Sequence, residues 1–249
     1  MKQALIWAAG GTLFLFAMTT LGAATVFLFV REPRERLRRW LLGFAAGVMT
    51  AASVWSLLLP AMDRAAALGL PPWLPASLGT AAGALFLWGL DALLLRVRAG
   101  TGKTSRQTAL LVTAITLHNI PEGMAVGLSF ALAAGGEGFA AAAALALGIG
   151  VQNFPEGAAV ALPLRQEGMR RSRAFAIAAL SGAVEPLFGV AAAATAAMAA
   201  AGMPWLLAFA AGSMLYVTAE ELLPQAQDGG AQGYLTGFLL MMLLDTALG

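Results

Sequence analysis

Long apolar runs, separated by short polar or glycine–proline breaks, dominate the chain. Eight such runs can be marked, at residues 4–30, 40–62, 73–96, 107–134, 138–164, 172–201, 204–226 and 231–248. As α-helices rising ~1.5 Å per residue, they match the ~30 Å hydrocarbon thickness of a bilayer. The breaks carry turn or charge signals. Residues 31–39 read REPRERLRR, the stretch from Gly69 to Pro75 holds three prolines, and residues 98–106 and 165–173 are basic. Gly135-Gly136-Glu137-Gly138 and Gly202-Met203-Pro204 read as tight turns, and Gln225 to Gly230 as a polar one. The pattern predicts an all-α polytopic membrane protein. Residues 1–249 are expected to form one eight-helix bundle, with no second domain.

Composition agrees. Of 249 residues, 59% are apolar and 11% charged, against the roughly 25% charged that a soluble domain carries. The basic residues then set orientation. Arg31, Arg34, Arg36, Arg38 and Arg39 follow the first run, Arg96, Arg98, Lys103 and Arg106 the third, and Arg165, Arg170, Arg171 and Arg173 the fifth. Only Lys2 and Arg64 lie on the other side. This bias places the odd-numbered loops in the cytoplasm and both termini outside. A cell membrane is expected, in the first place a bacterial inner membrane. The basic residues sit in short loops rather than on one face, so no nucleic-acid partner is expected despite the net charge of +2.

Two motifs are set aside. Lys2 before an apolar run resembles a leader, but the run continues to Val30 without a polar cleavage region, so a retained first helix is expected. Gly102-Lys103-Thr104 resembles the end of a phosphate-binding loop, but Val97 stands where that loop needs its first glycine.

Acids inside the apolar runs change the picture more. A carboxylate at mid-bilayer costs about 2.5–3.5 kcal/mol even on lenient scales. Glu122, Glu156, Glu185, Glu220 and Glu221 fall there, with Asp91 toward the inner end of the third run and Asp63 and Asp245 toward the outer ends of the second and eighth. No Lys or Arg is placed to pair with the central acids, and a cation is the simplest partner.

Two hexapeptides concentrate this chemistry. His118-Asn119-Ile120-Pro121-Glu122-Gly123 and Gln152-Asn153-Phe154-Pro155-Glu156-Gly157 repeat after 34 residues. On a helix, residues i and i+4 share a face, so His118 aligns with Glu122 and Gln152 with Glu156. Asn119 and Asn153 are rotated by ~100°. Each Glu can serve one ligand set with its His or Gln and another with its Asn, which suggests two neighbouring metal positions. Pro121, Pro155, Pro186 and Pro224 each free a carbonyl four residues upstream, and broken helices of this kind mark transporter sites. Imidazole, amide oxygen and carboxylate suit Zn(II), and also Mn(II), Fe(II), Co(II) or Cd(II). The chain has no cysteine and a single histidine, His118, so thiolate sites and disulfides are excluded. Met49 could add a thioether, although eleven methionines make simple packing its compositional expectation.

These residues resemble the ZIP family of divalent-metal transporters, and within it the GufA-like branch. The resemblance covers essentially the whole chain. It takes in the two hexapeptides, Gly47-Val48-Met49-Thr50-Ala51-Ala52-Ser53, Glu185-Pro186 and Glu220-Glu221-Leu222-Leu223-Pro224. It implies a binuclear transport site. His118, Glu122, Gln152, Glu156 and Met49 would hold the first metal. Asn119, Glu122, Asn153, Glu156, Glu185 and Glu220 would hold the second. Asp63 and Asp245 resemble positions near the outer mouth and Asp91 one on the inward route, with Glu221 a further pathway candidate. Many relatives carry a second histidine where Gln152 stands, a departure that bears on metal preference. Residues 97–106 lack the histidine-rich loop frequent in the family.

The expected function is transport of zinc, or of cadmium, iron or manganese, into the cytoplasm by alternating access. No organic cofactor and no enzymatic activity are expected. The alternative is a selective divalent-metal channel using the same site. An intramembrane metalloprotease would need a His-Glu-x-x-His type of site. A purely structural membrane protein would bind metal no differently after Glu122→Ala or Glu156→Ala. The partners expected are divalent cations and the lipid bilayer. Runs such as Ala191-Ala192-Ala193-Ala194 permit close helix packing and leave room for a homodimer.

Overall fold

The computed structural model describes residues 1–28, 35–97, 103–136, 138–198 and 200–248, and among these it is helical with no strand. We number the helices α1 (Lys2–Leu28), α2 (Glu35–Ala67), α3 (Trp73–Val97), α4 (Lys103–Ala133), α5 (Phe139–Gln166), α6 (Arg171–Gly182 continuing as Val184–Met198), α7 (Met203–Gln225) and α8 (Ala231–Leu248). Arg31, Arg34, Arg98 and Glu137 lie outside the described residues.

Among the described residues, five of these helices, α1, α2, α3, α6 and α7, are long and apolar enough by themselves to cross a membrane. The polar hexapeptides dilute the apolar character of α4 and α5, and burial compensates. The outer surface is apolar in the manner of a lipid-facing surface, with Leu13, Leu21, Leu78, Leu85, Trp88 and Leu239 all more than two-fifths exposed. Inside, α1 shows how the sequence sorts itself. Its buried positions Ala4, Ala8, Thr12, Leu15, Thr19, Gly22, Ala23 and Val26 recur every three or four residues, the spacing of one helix face.

The helices pair as α1 with α5, α2 with α8, α3 with α7 and α4 with α6. Helix α1 also packs on α4 and α6, so α1, α4, α5 and α6 form one interlocked group. The seam to the other helices runs through α4–α7, α5–α8 and α2–α5 contacts. Two close approaches fix the inner group. A Cβ at Gly123 would collide with the Glu185 backbone on α6, and one at Gly157 with the Thr19 carbonyl on α1. Only glycine lets these helices approach so closely.

Several local expectations change. The charged stretch before α2 is helical from Glu35, because Glu35 accepts hydrogen bonds from Arg38 at 2.7 and 2.9 Å and from Arg39 at 2.9 Å. These are the i,i+3 and i,i+4 pairs of a first turn with an acid at the positive helix end. They hold the Glu35 carboxyl well below its usual range, at about 2. Arg39 also lies 3.7 Å from Asp228 in the α7–α8 turn, so the start of α2 and this turn share one face of the bundle.

The prolines do not all break helices. α4 and α5 run unbroken through Pro121 and Pro155, because one proline removes a single backbone bond while packing on both sides keeps the helix in line. The irregularities fall elsewhere. α6 is interrupted at Ala183, three residues before Pro186. α2 and α7 each contain a wide turn, Ser53–Leu58 and Thr218–Leu222. In these the N–H just before a proline reaches back five residues: Leu59 to the Val54 carbonyl ahead of Pro60, and Leu223 to the Thr218 carbonyl ahead of Pro224. Such widened turns accommodate a proline within a helix and occur frequently at functional sites.

Candidate metal centre

Between two apolar cores lies a polar layer. The larger core includes Ala8 and Leu15 of α1, Leu145 and Ile149 of α5, and Ala192 and Ala196 of α6. The smaller one includes Ala23 and Val26 of α1, Val160 and Leu164 of α5, and Ala174 and Ala178 of α6. Along all three helices the residues between are polar and buried: Thr19 on α1, Gln152, Asn153 and Glu156 on α5, Ser181 and Glu185 on α6. His118, Asn119 and Glu122 of α4 are buried as well. With apolar cores above and below, water reaches this layer poorly, and each polar atom needs a protein or ion partner.

The partners are only half supplied. Gln152 Nε2 donates to Glu122 Oε1 at 2.8 Å, so the two hexapeptides touch directly. Asn153 Nδ2 donates to Glu185 Oε1 at 3.0 Å. Thr19 Oγ1 donates to the same Glu185 oxygen at 3.0 Å. Asn119 Nδ2 donates to the Ser181 carbonyl at 3.0 Å, next to the interruption of α6. His118 Nε2 lies 3.0 Å from Glu221 Oε2 of α7, close enough for an ion pair but not aligned as a hydrogen bond. Glu122 lies within electrostatic reach of Glu156 and Glu185, and Glu156 within reach of His118 and Glu221.

What remains is a set of oxygens. Asn119 Oδ1, Glu122 Oε2, Gln152 Oε1, Asn153 Oδ1, both carboxylate oxygens of Glu156, and Glu185 Oε2 are buried with no hydrogen-bond partner among the described residues. Each such group costs about 1–3 kcal/mol if nothing meets it. They are all acceptors, so water or a hard or borderline cation is the chemistry that satisfies them. Among the described residues no three His, Asp or Glu side chains stand close enough to hold a metal alone. The acids are interleaved with carboxamides.

The other candidates separate into three places. Met49 is fully buried on α2, just before the wide turn, where α2 packs on α5. Asp245 of α8 accepts a 2.6 Å hydrogen bond from Ser56 of α2. Both line a cavity of about 270 Å³ with Trp55, Pro60 and Ser129. Asp245 Oδ2 and Ser129 Oγ have no partner there among the described residues, and Asp63 is exposed further along α2. Asp91 of α3 accepts a hydrogen bond from Tyr216 of α7 and lies near Glu220, Glu221 and His118. Glu220 is exposed and sits with this group rather than with the central layer; its neighbour Glu221 is the residue that meets His118. The wide turn at Thr218–Leu222 shifts the register at these two glutamates, a change that regular helical spacing does not foresee.

Sequence reasoning missed Thr19, Ser56, Ser129, Ser181 and Tyr216. The available signal was a hydroxyl at a buried helical position, as with Thr12 and Thr19 seven residues apart on α1. That signal is weak, since such hydroxyls commonly bond back to their own helix.

A helical bundle with an apolar exterior and a buried layer of unpartnered acceptor oxygens has the make-up of an integral membrane protein, and those oxygens suit water or a cation. Comparison with known proteins gives the family. The model of the ZIP zinc transporter family matches residues 97–245. The chain is 37% identical to "Zinc transporter ZIP11" of Bos taurus, over 96% of each chain. It is 39% identical to "Zinc transporter ZIPB" of Bordetella bronchiseptica, over 94% of this chain and 79% of the relative. It is also 39% identical to "Zinc transporter GufA" of Myxococcus xanthus, over 93% of this chain and 94% of that one. The chain belongs to the ZIP zinc-transporter family, and is a multi-pass membrane transporter rather than an enzyme.

Proposed function

We propose that this protein carries zinc, and chemically related divalent cations such as cadmium, iron or manganese, into the cytoplasm through a two-metal centre between α4 and α5. One observation carries the reading: seven unpartnered acceptor oxygens from α4, α5 and α6 lie in a single layer between apolar cores. His118, Glu122, Gln152, Glu156 and Met49 supply the first position. Asn119, Glu122, Asn153, Glu156 and Glu185 supply the second. The two glutamates of the hexapeptides are shared. The Gln152 carboxamide N–H occupies Glu122 Oε1, so these two residues offer a cation Glu122 Oε2 and Gln152 Oε1.

The flanking groups outline a route. Asp63 and the Ser56–Asp245 pair serve as the outer mouth. His118 and Glu221 link the centre to Asp91, Tyr216 and Glu220 on the inward side. Eight membrane-crossing helices with both termini outside agree with the distribution of basic residues and with the face that Arg39 at the start of α2 shares with Asp228 in the α7–α8 turn. A bacterial inner membrane is the proposed location, since the ZIPB and GufA relatives come from bacteria. Alternating access fits the interlocked α1–α4–α5–α6 group, which can shift as a unit against α2, α3, α7 and α8.

The test is uptake of several divalent metals into proteoliposomes of known orientation, comparing wild type with His118→Ala. Saturable inward zinc flux that falls with His118→Ala is expected. No uptake of any divalent metal by well-folded protein would overturn the proposal. Single-channel currents in place of saturable flux would replace alternating access with a channel.

A further inference from the structure

We propose that Thr19 of α1 is a positioning residue for the second metal position, orienting the Glu185 carboxylate so that Oε2 alone is offered to the cation. This rests on the two-metal reading above. Thr19 is 1% exposed. Its hydroxyl and the Asn153 carboxamide, from two different helices, both donate to Glu185 Oε1 at 3.0 Å. Two donors on one oxygen fix the plane of the carboxylate. The other oxygen, Oε2, is left buried with no hydrogen-bond partner among the described residues.

A packing threonine would bond back to its own helix. Thr19 Oγ1 does lie near the Leu15 carbonyl, but at 3.3 Å, against 3.0 Å to Glu185. A hydroxyl has one proton, and a shorter contact to a carboxylate is the stronger of the two. The threonine is also clamped from both sides. The Gly157 backbone on α5 sits against the Thr19 carbonyl, and Gly182 on α6 sits against its Cγ2 methyl. The hydroxyl is therefore placed by three helices at once, and Glu185 cannot draw Oε1 away to bind a cation through both oxygens without breaking that tie. Groups that orient a metal ligand from behind affect affinity by about 10–100-fold.

The experiment measures zinc and cadmium binding to the full chain in lipid nanodiscs by calorimetry, resolving the first and second equivalents. Thr19→Val, nearly identical in shape, is expected to weaken the second equivalent about tenfold and leave the first unchanged. Thr19→Ser, which keeps the hydroxyl, is expected to restore it. A second equivalent unaltered in Thr19→Val, or a loss that Thr19→Ser does not rescue, would overturn the assignment. If Thr19→Val does not fold, Thr19→Ala is judged by the same criterion. Wild type that binds fewer than two equivalents defeats the two-metal reading and the role of Thr19 together. A two-site wild type with an unaffected Thr19→Val defeats the role of Thr19 alone.

Discussion

The two hexapeptides are nearly the same in sequence and unequal in wiring. In the first, His118 faces Glu221 of α7, Asn119 is tied to the Ser181 carbonyl, and one oxygen of Glu122 is met by Gln152. In the second, Gln152 and Asn153 spend their N–H groups on Glu122 and Glu185, and both oxygens of Glu156 have no hydrogen-bond partner among the described residues. The first motif is partly satisfied by the protein. The second donates to its neighbours and keeps its own carboxylate unmet. A repeated motif thus becomes a polar layer with one braced side and one side whose carboxylate has no hydrogen-bond partner among the described residues.

The sharpest way to break this comparison is at Glu156. Glu156→Gln is expected to cut zinc uptake about 100-fold, while raising the unfolding free energy of the metal-free protein by about 1–3 kcal/mol, since an unmet buried carboxylate is removed. Flux assays and thermal unfolding in chelator measure the two effects. A variant that keeps transporting, or whose metal-free form is less stable, would show that Glu156 is satisfied in some other way. Glu122→Gln is expected to lose transport without the stability gain, because it disturbs the contact with Gln152.

The glycines closing the two motifs come next. Gly123→Ala and Gly157→Ala each force a methyl into a neighbouring backbone, and each is expected to cost about 1–3 kcal/mol. Melting temperatures in nanodiscs should fall in both. If only one falls, the two helix crossings are not equivalent.

A smaller effect is expected from making the motifs alike. Gln152→His replaces a carboxamide with imidazole and removes the donor to Glu122. The expected result is a preference for zinc over manganese increased on the order of tenfold, read by competition uptake. An unchanged preference would locate selectivity outside this position.

Glu35, far from the centre, is the control. Its carboxyl sits at about 2 rather than near 4.5 because Arg38 and Arg39 hydrogen-bond it. A depressed value means its contribution is complete above pH 4.5 and is lost as pH falls toward 2. These groups lie at the surface, with the Glu35 side chain about half exposed, so Glu35→Gln should leave uptake unchanged and shift the melting temperature only slightly at low salt, less at high salt.

The helix pattern was legible because lipid-facing surface and the apolar core both demand long apolar runs, interrupted only where the chain turns. The acid–amide motifs were legible because polar residues inside those runs are costly and stand out. His118, Glu122, Gln152 and Glu156 could be paired from helical periodicity alone. Which helix each would meet across the seam could not, because that depends on crossing angles and register. Glu221, rather than Glu220, meets His118 at a wide turn before Pro224, where the backbone bond reaches back five residues instead of four and shifts the helical register. α4 and α5 stay intact through their prolines because packing on both sides outweighs one missing hydrogen bond. Thr19 joined the centre only because Gly157 and Gly182 bring α1 within hydrogen-bonding distance of Glu185. Local periodicity decides which residues are polar, buried and on one face. Tertiary packing alone decides which lone pairs are met, since hydrogen bonds turn on tenths of an ångström that no spacing in the chain encodes.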